Sequence, residues 1–174
     1  MRYVCITTGA GAWTNKAISL HLAKKKAGIH NMDLEMISSV PSGPVEIIQK
    51  SDLFKKAVGK TLKCFGIIEA SQTRQQLSAC VGVLPTNPAI FDCGWSDNKD
   101  PKYILSSVGG GLIRTYEDGT KDQAVKPYVG DASIKRRDKP WIAVCAVAII
   151  LEDQVVPSDL DYDKKILESI QRFE

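Results

Sequence analysis

The sequence predicts one α+β domain, residues 1–174, whose strands gather in runs instead of alternating with helices. Three observations lead there. At 174 residues and 19.1 kDa, the chain has the length of a single domain with a substantial core. One helix is marked at both ends within residues 14–28. Strand-like segments follow one another from 62 to 116 and again from Trp141 to Leu151, a pattern that argues against a doubly wound parallel sheet.

In order, Arg2-Tyr3-Val4-Cys5-Ile6-Thr7-Thr8 is apolar and β-branched, and reads as a strand running into Gly9-Ala10-Gly11-Ala12. That glycine loop opening a helix is half of a dinucleotide fingerprint. It lacks the third glycine and an assignable acidic residue, so a nucleotide-binding α/β domain stays as an alternative. Thr14 or Asn15 caps a helix carrying Ala17, Ile18, Leu20, Leu22, Ala23 and Ala27, with Lys24, Lys25 and Lys26 in its last turn and Gly28 past its end. His21 lies near its middle, a position usually filled by a packed or surface side chain. From Ile29 to Ser39 a strand would place Asn31, Asp33, Glu35, Ile37 and Ser39 on one face. Six strand steps separate Asp33 from Ser39 by about 20 Å, so the two share a site only through bending or across a subunit boundary.

Val45 to Ile48 reads as a short strand, and Ser51 caps a helix to about Val58 before Gly59. Leu62–Ala70 and Leu77–Leu84 read as strands joined by the polar turn Ser71–Gln75, the second stopped by Leu84-Pro85-Thr86-Asn87-Pro88. Residues 86–102, with Asp92, Trp95, Asp97 and Asp100, form a loop long enough for a lid or interface element. Tyr103–Val108 and Leu112–Tyr116 read as strands around Gly109-Gly110-Gly111, and Glu117-Asp118-Gly119-Thr120 suits a hairpin turn. Residues 118–140 are charged and broken by Pro127, Gly130 and Pro140. Trp141–Leu151 is fully apolar, as a central strand would be. In a C-terminal extension, 152–174, Ser158 or Asp159 caps an amphipathic helix with Tyr162, Ile166, Leu167, Ile170 and Phe173.

Hydrophobic content of 44%, charged content of 25% and a net charge of +3 spread along the chain give no stripe for nucleic acid. The one basic cluster, Lys135-Arg136-Arg137 with Lys139, is answered by Asp131 and Asp138 and reads as a solvated loop. Five cysteines without a Cys-x-x-Cys pair predict reduced thiols in a cytoplasmic setting, with no disulfide frame and no metal site. The first residues lack the blocks of a signal peptide, and the run from Trp141 to Leu151 is too short for a bilayer core of about 30 Å, so no membrane is expected.

Chemistry is carried by Ile37-Ser38-Ser39-Val40-Pro41, where two hydroxyls meet just before a proline. A serine hydroxyl can attack the carbonyl of its own preceding peptide where the backbone is held strained. Pro41 and Pro44, with Gly43 between them, fix an irregular backbone there. The result would be an ester, then a cut chain whose new amino end is a pyruvoyl group made from Ser39. Such a carbonyl condenses with an amine and serves as an electron sink. The same residues also suit a plain turn after a strand.

Ala27-Gly28-Ile29-His30-Asn31-Met32-Asp33-Leu34 followed by Ile37-Ser38-Ser39 resembles the pyruvoyl-dependent arginine decarboxylase family, whose proenzymes cut themselves between the two serines. The likeness runs back to about Val4 and resumes at Phe65–Ile68, Leu77–Val81, Gly110–Ile113 and Ile142–Ile150. It implies a layered α/β sandwich with a largely antiparallel sheet, assembled as a homotrimer or dimer of trimers with active sites between subunits. It implies cleavage into chains 1–38 and 39–174, a covalent pyruvoyl cofactor from Ser39, and decarboxylation of an amino acid through a Schiff base.

Three positions depart from the family. An asparagine that organises processing is replaced by Asp33, which loses the amide donor and adds a charge. The acid that protonates the product carbon falls on Thr115, and Glu117, two residues on along the same strand face, is the candidate general acid. The aspartate that faces a guanidinium falls on His21, so a neutral or acidic amino acid, or a modified amine, fits as well as arginine. Asp33, Asn31, His21 and Thr115 are thus the candidate processing or substrate-binding positions. The replacements also suit a non-catalytic relative that keeps the scaffold for assembly or small-molecule binding.

Overall fold

The computed structural model describes residues 2–40, 42–57, 61–97, 100–117 and 125–152, without the side chains of 54, 56 and 114–117. In chain order they form β1 (Arg2–Trp13), α1 (Lys16–Ala27), β2 (Leu34–Met36), β3 (Val45–Ile47), α2 (Lys50–Ala57), β4 (Leu62–Ser71), β5 (Gln76–Leu84), β6 (Ile90–Asp97), α3 (Pro101–Glu117), β7 (Tyr128–Lys135) and β8 (Trp141–Glu152). The helix expected over 158–173 lies outside the described residues, as do the turn residues 118–120.

Two sheets stack face to face between helices, giving four layers. The larger sheet has the order β2-β4-β8-β1-β3, and the smaller is β6-β5-β7. Both long pairings of β8, with β1 and with β4, are antiparallel, as is the whole smaller sheet. Only the short edge strands β2 and β3 pair in parallel. The architecture is therefore the layered α/β sandwich with a largely antiparallel sheet that the sequence led us to expect.

β8 shows why its sequence is apolar throughout. Ala143, Cys145, Val147, Ile149 and Leu151 point to α1 and α2, whereas Ile142, Val144, Ala146, Ala148 and Ile150 point between the sheets. Successive side chains take opposite faces, and here both are covered. Leu77, Ala79, Val81 and Val83 of β5 close the inter-sheet layer from the other side. Cys80 and Leu84 turn outward beneath Ile104, Val108 and Leu112 of α3.

α1 begins and ends where its signals lie. The Asn15 side chain accepts from the Ile18 amide at 2.9 Å. Gly28 has φ 76°, and its amide and that of Ile29 donate to Lys25 and Lys24, closing a Schellman motif. Ile29 is thereby buried under the helix, and the chain turns through Asn31 before pairing resumes. The strand expected from Ile29 to Ser39 is accordingly only Leu34–Met36.

Four further expectations are corrected. Gly9-Ala10-Gly11 is no loop: β1 runs straight through it, paired with Cys145, Val144 and Ala143. A Cβ on Gly9 would lie 2.3 Å from the Ala23 carbonyl oxygen, and one on Gly11 would lie 2.6 Å from the Leu22 Cβ. The glycines therefore admit α1 against the sheet, and the dinucleotide alternative loses its loop. The loop expected over 86–102 contains β6, whose Phe91 and Cys93 face the inter-sheet core; interleaved Asp92 and Gly94 disguised the alternation.

The two strands expected around Gly109–Gly111 are one helix, α3. Ile104, Val108 and Leu112 recur at the helical interval and are buried. Asp100 accepts from the Lys102 amide at 2.9 Å, and Pro101 takes the first helical position. Finally, Lys135, Arg136, Arg137 and Lys139 make no ion pair with Asp131 or Asp138. Arg136 donates instead to the carbonyls of Arg74 at 2.8 and 3.0 Å and to those of Ser71 and Pro140. That guanidinium ties the 71–75 turn to the β7–β8 connection.

All five cysteines are free. Cys93, expected in a loop, lies on β6. Burial pushes the thiols of Cys64, Cys80 and Cys145 up to about 12 from an ordinary value of 9.0, with Cys145 adding to the effect on Cys64, and Asp131, Asp92 and Cys93 to that on Cys80. Above pH 9.0 an unfolded chain sheds these protons while the folded one holds them. Stability is thus expected to fall as pH rises from 9.0 toward about 12. Denaturant midpoints on either side of pH 9.0 check this, and Cys64→Ala should flatten the decline. A flat profile in the wild type would contradict it.

Candidate active site

β2 stops at Met36 because the next side chain changes layer. The Ile37 amide still donates to Cys64 of β4 at 2.9 Å, but the Ile37 side chain, like that of Val40, packs into the inter-sheet core with Phe65 and Phe91. Ser38 and Ser39 lie between these two anchors and are exposed. Neither hydroxyl makes a hydrogen bond with another described residue. The serine pair is thus a short outward loop held at both ends by partly buried aliphatic groups.

Beyond it the chain passes from the β4 edge of the large sheet to the β1 edge, where β3 begins. Arg2 donates to the Ser42 carbonyl, and the Ala89 amide donates to the Gly43 carbonyl at 3.0 Å. Gly43 has φ 126°, and a Cβ there would lie 2.9 Å from an Arg2 nitrogen. The backbone conformation calls for glycine, whereas the Arg2 side chain could shift away from an added methyl. These long-range grips carry no local sequence signal.

The structure does not bring the other candidate residues to the serines within one chain. Asp33 lies at the opposite end of β2, where its carboxylate accepts from the Thr61 hydroxyl at 3.0 Å and its carbonyl from the Leu62 amide at 2.9 Å. With β2 reduced to three residues, the polar strand face expected to join Asp33 and Ser39 does not exist. Asn31 is exposed in the turn after α1. His21 is exposed on α1, its ring edge-on to His30 at 5.5 Å. His30 Nδ1 is buried without a partner among the described residues. α1 covers the sheet face opposite the one on which Ile37 and Val40 pack.

Thr115 and Glu117 belong to α3, with Glu117 its last residue. Residues two apart share a strand face but not a helix face, where each step turns about 100°. The pleat argument that carried a carboxyl from position 115 to 117 therefore fails. The same helix runs toward the end of β5 at which the 85–89 segment holds Gly43, since Leu112 packs over Gly82. That places the C-terminal end of α3 and the serine loop at one end of the molecule, in different layers. Among the described residues no group of three or more His, Cys, Asp or Glu side chains is placed to hold a metal. No helix among them is long and apolar enough to cross a membrane.

A four-layer sandwich of largely antiparallel sheets, with an exposed Ser-Ser pair beyond an edge strand, is not the alternating parallel architecture of a nucleotide-binding domain. The match is specific: the family model for pyruvoyl-dependent arginine decarboxylase covers residues 3–153, and the chain belongs to that family of carboxy-lyases, named for a pyruvoyl prosthetic group. No curated protein matches the chain.

Proposed function

We propose that this protein is a self-processing amino-acid decarboxylase whose pyruvoyl group derives from Ser39. One observation carries the reading: Ser38-Ser39 is exposed and its hydroxyls have no partner among the described residues, while Ile37 and Val40 on either side are held in the core. The residues suit the group, because an uncommitted Oγ is what the processing chemistry needs.

In that chemistry Ser39 Oγ adds to the Ser38 carbonyl carbon and the peptide nitrogen leaves as an amine, converting amide to ester. Loss of the Ser39 Cα proton then expels the Ser38 carboxylate and leaves a dehydroalanyl end. Water adds, ammonia departs, and the pyruvoyl end remains on chain 39–174. When present, the group supplies an electrophilic carbonyl for a substrate amine and a sink for the electron pair left after carbon dioxide departs. Phe65 and Phe91, edge-on at 5.8 Å, belong to the same partly buried apolar cluster as Ile37 and Val40 on either side of the serines.

Assembly as a trimer, with sites between subunits, would let residues far from Ser39 in one chain meet it from another. Glu117 as general acid, and His21 as a group facing the substrate's distal end, both require such a neighbour. With a histidine in place of a fixed carboxylate, a neutral or acidic amino acid, or a modified amine, fits as well as arginine. Asp33 supports the second reading, a non-catalytic scaffold: its carboxylate is engaged by Thr61 and serves the strand start.

Intact-mass spectrometry decides between them. The expected result is two fragments divided after Ser38, the larger about 17 Da lighter than the same sequence with a free amine, the net change from serine to pyruvoyl being loss of ammonia. A chain that stays whole after prolonged incubation would leave only the scaffold.

A further inference from the structure

We propose that Arg2, held by Glu152, is a positioning residue for cleavage at Ser38-Ser39. This rests on the self-processing reading above and concerns how the chain makes its own backbone reactive. Arg2 opens β1, paired with Val45 of β3 on one side and with Glu152 of β8 on the other. Its Nε lies 3.2 Å from Glu152 Oε1, and the same oxygen lies 3.7 Å from Lys63 Nζ on β4. The carboxylate is thus flanked by two cations from two strands, and it orients a guanidinium whose terminal nitrogen donates to the Ser42 carbonyl.

The effect on the loop is geometric. Toward its start the serine pair is fixed by the Ile37 amide on Cys64 and by the Ile37 side chain in the core. Toward its end it is fixed by Val40 in that core and by the carbonyls of Ser42 and Gly43, held by Arg2 and by the Ala89 amide. Among the described residues between Ile37 and Gly43, only Ser38 and Ser39 lack such an anchor. Attack by Ser39 Oγ on its own preceding carbonyl closes a five-membered ring, and that demands a narrow range of backbone angles. Holding the chain on both sides limits the conformations that the Ser38–Ser39 peptide explores. A planar guanidinium serves two partners at once, whereas an ammonium on a flexible stem does so poorly.

Two further features fit a grip on the loop better than a surface ion pair. Gly43, next to the acceptor, has φ 126°, a conformation that holds the chain in one local path beside the guanidinium. The acceptor is a backbone carbonyl, so the bond constrains the loop whatever side chain stands at position 42.

The test follows cleavage by intact mass from the time of synthesis, for wild type, Arg2→Ala, Arg2→Lys and Glu152→Gln, with circular-dichroism melting on each. Arg2→Ala is expected to slow cleavage by about tenfold or more, the scale of one charge-assisted hydrogen bond. Arg2→Lys should be intermediate and Glu152→Gln milder, with melting transitions near that of the wild type. Millimolar guanidinium, well below denaturing levels, should restore part of the rate in Arg2→Ala, which a loss of general stability would not permit. A wild type that cuts alongside an Arg2→Ala that cuts equally fast overturns this inference and leaves the function standing. A wild type that never cuts overturns both. Should Arg2→Ala fail to fold, Arg2→Lys decides: a wild-type rate overturns the inference and a slowed one supports it.

Discussion

Ser39→Ala is expected to give an uncut chain with decarboxylase activity lower by about 10,000-fold or more, the scale on which loss of a covalent group reduces turnover. Alanine removes the only atom that the processing chemistry takes from this side chain. Because Ser39 is exposed and its hydroxyl has no hydrogen-bond partner among the described residues, the fold should stay within about 0.5 kcal/mol of wild type. Ser38→Ala makes the informative contrast. Ser38 contributes its carbonyl carbon and not its hydroxyl, so that variant should still cut and still form the pyruvoyl end on position 39. Mass spectra of both variants, beside carbon dioxide release from a panel of amino acids, separate the roles of the two serines. Cleavage in Ser39→Ala would move the nucleophile elsewhere and end the present assignment.

How far the sequence foretold this arrangement depended on whether the signal was local. α1 was legible because Asn15 and Gly28 act on their own neighbours, and β8 because both of its faces are buried. α3 was misread because three consecutive glycines resemble a turn. Helix propensity opposes them by about 1 kcal/mol each, and burial of Ile104, Val108 and Leu112 on the small sheet overrides it. A Cβ on Gly111 would come within 3.0 Å of the Asp92 carboxylate, a close approach that explains that glycine and that no sequence window contains.

The candidate site divides the same way. Irregular backbone beside the serines was legible in Pro41, Gly43 and Pro44, although the strand expected to run through Ser39 ends at Met36. The grip of Arg2 on Ser42, forty positions along the chain, was not. The separation of Asp33 from Ser39 was already implied by their spacing, but not the shortness of β2, which ends where its pairing with β4 ceases. Propensity along one segment says little about where pairing with another ends.

Gly9→Ala is expected to lower stability by about 3 kcal/mol, at the upper end for overpacking, and the melting temperature by roughly 10 °C for a chain of this size. The added methyl would lie 2.3 Å from the Ala23 carbonyl oxygen and 2.6 Å from the Ala27 nitrogen. Both are backbone atoms of α1, so no side chain can rotate away and the helix itself must lift. Lifting it would strip Ala23, Ala27 and Ile29 from the core beneath and break the bond from the Thr7 hydroxyl to the Ala27 carbonyl. Gly109→Ala provides the opposite sign. It lies within α3, and the nearest atom to its added methyl is a Val129 methyl at 4.0 Å, so helix propensity should stabilise by up to about 1 kcal/mol. Paired thermal melts of the two variants therefore test a distinction that residue type alone cannot make. Were Gly9→Ala to melt with the wild type, α1 could not sit as close to β1 as described, and a glycine loop at the end of a shorter strand would again be the better account of Gly9-Ala10-Gly11.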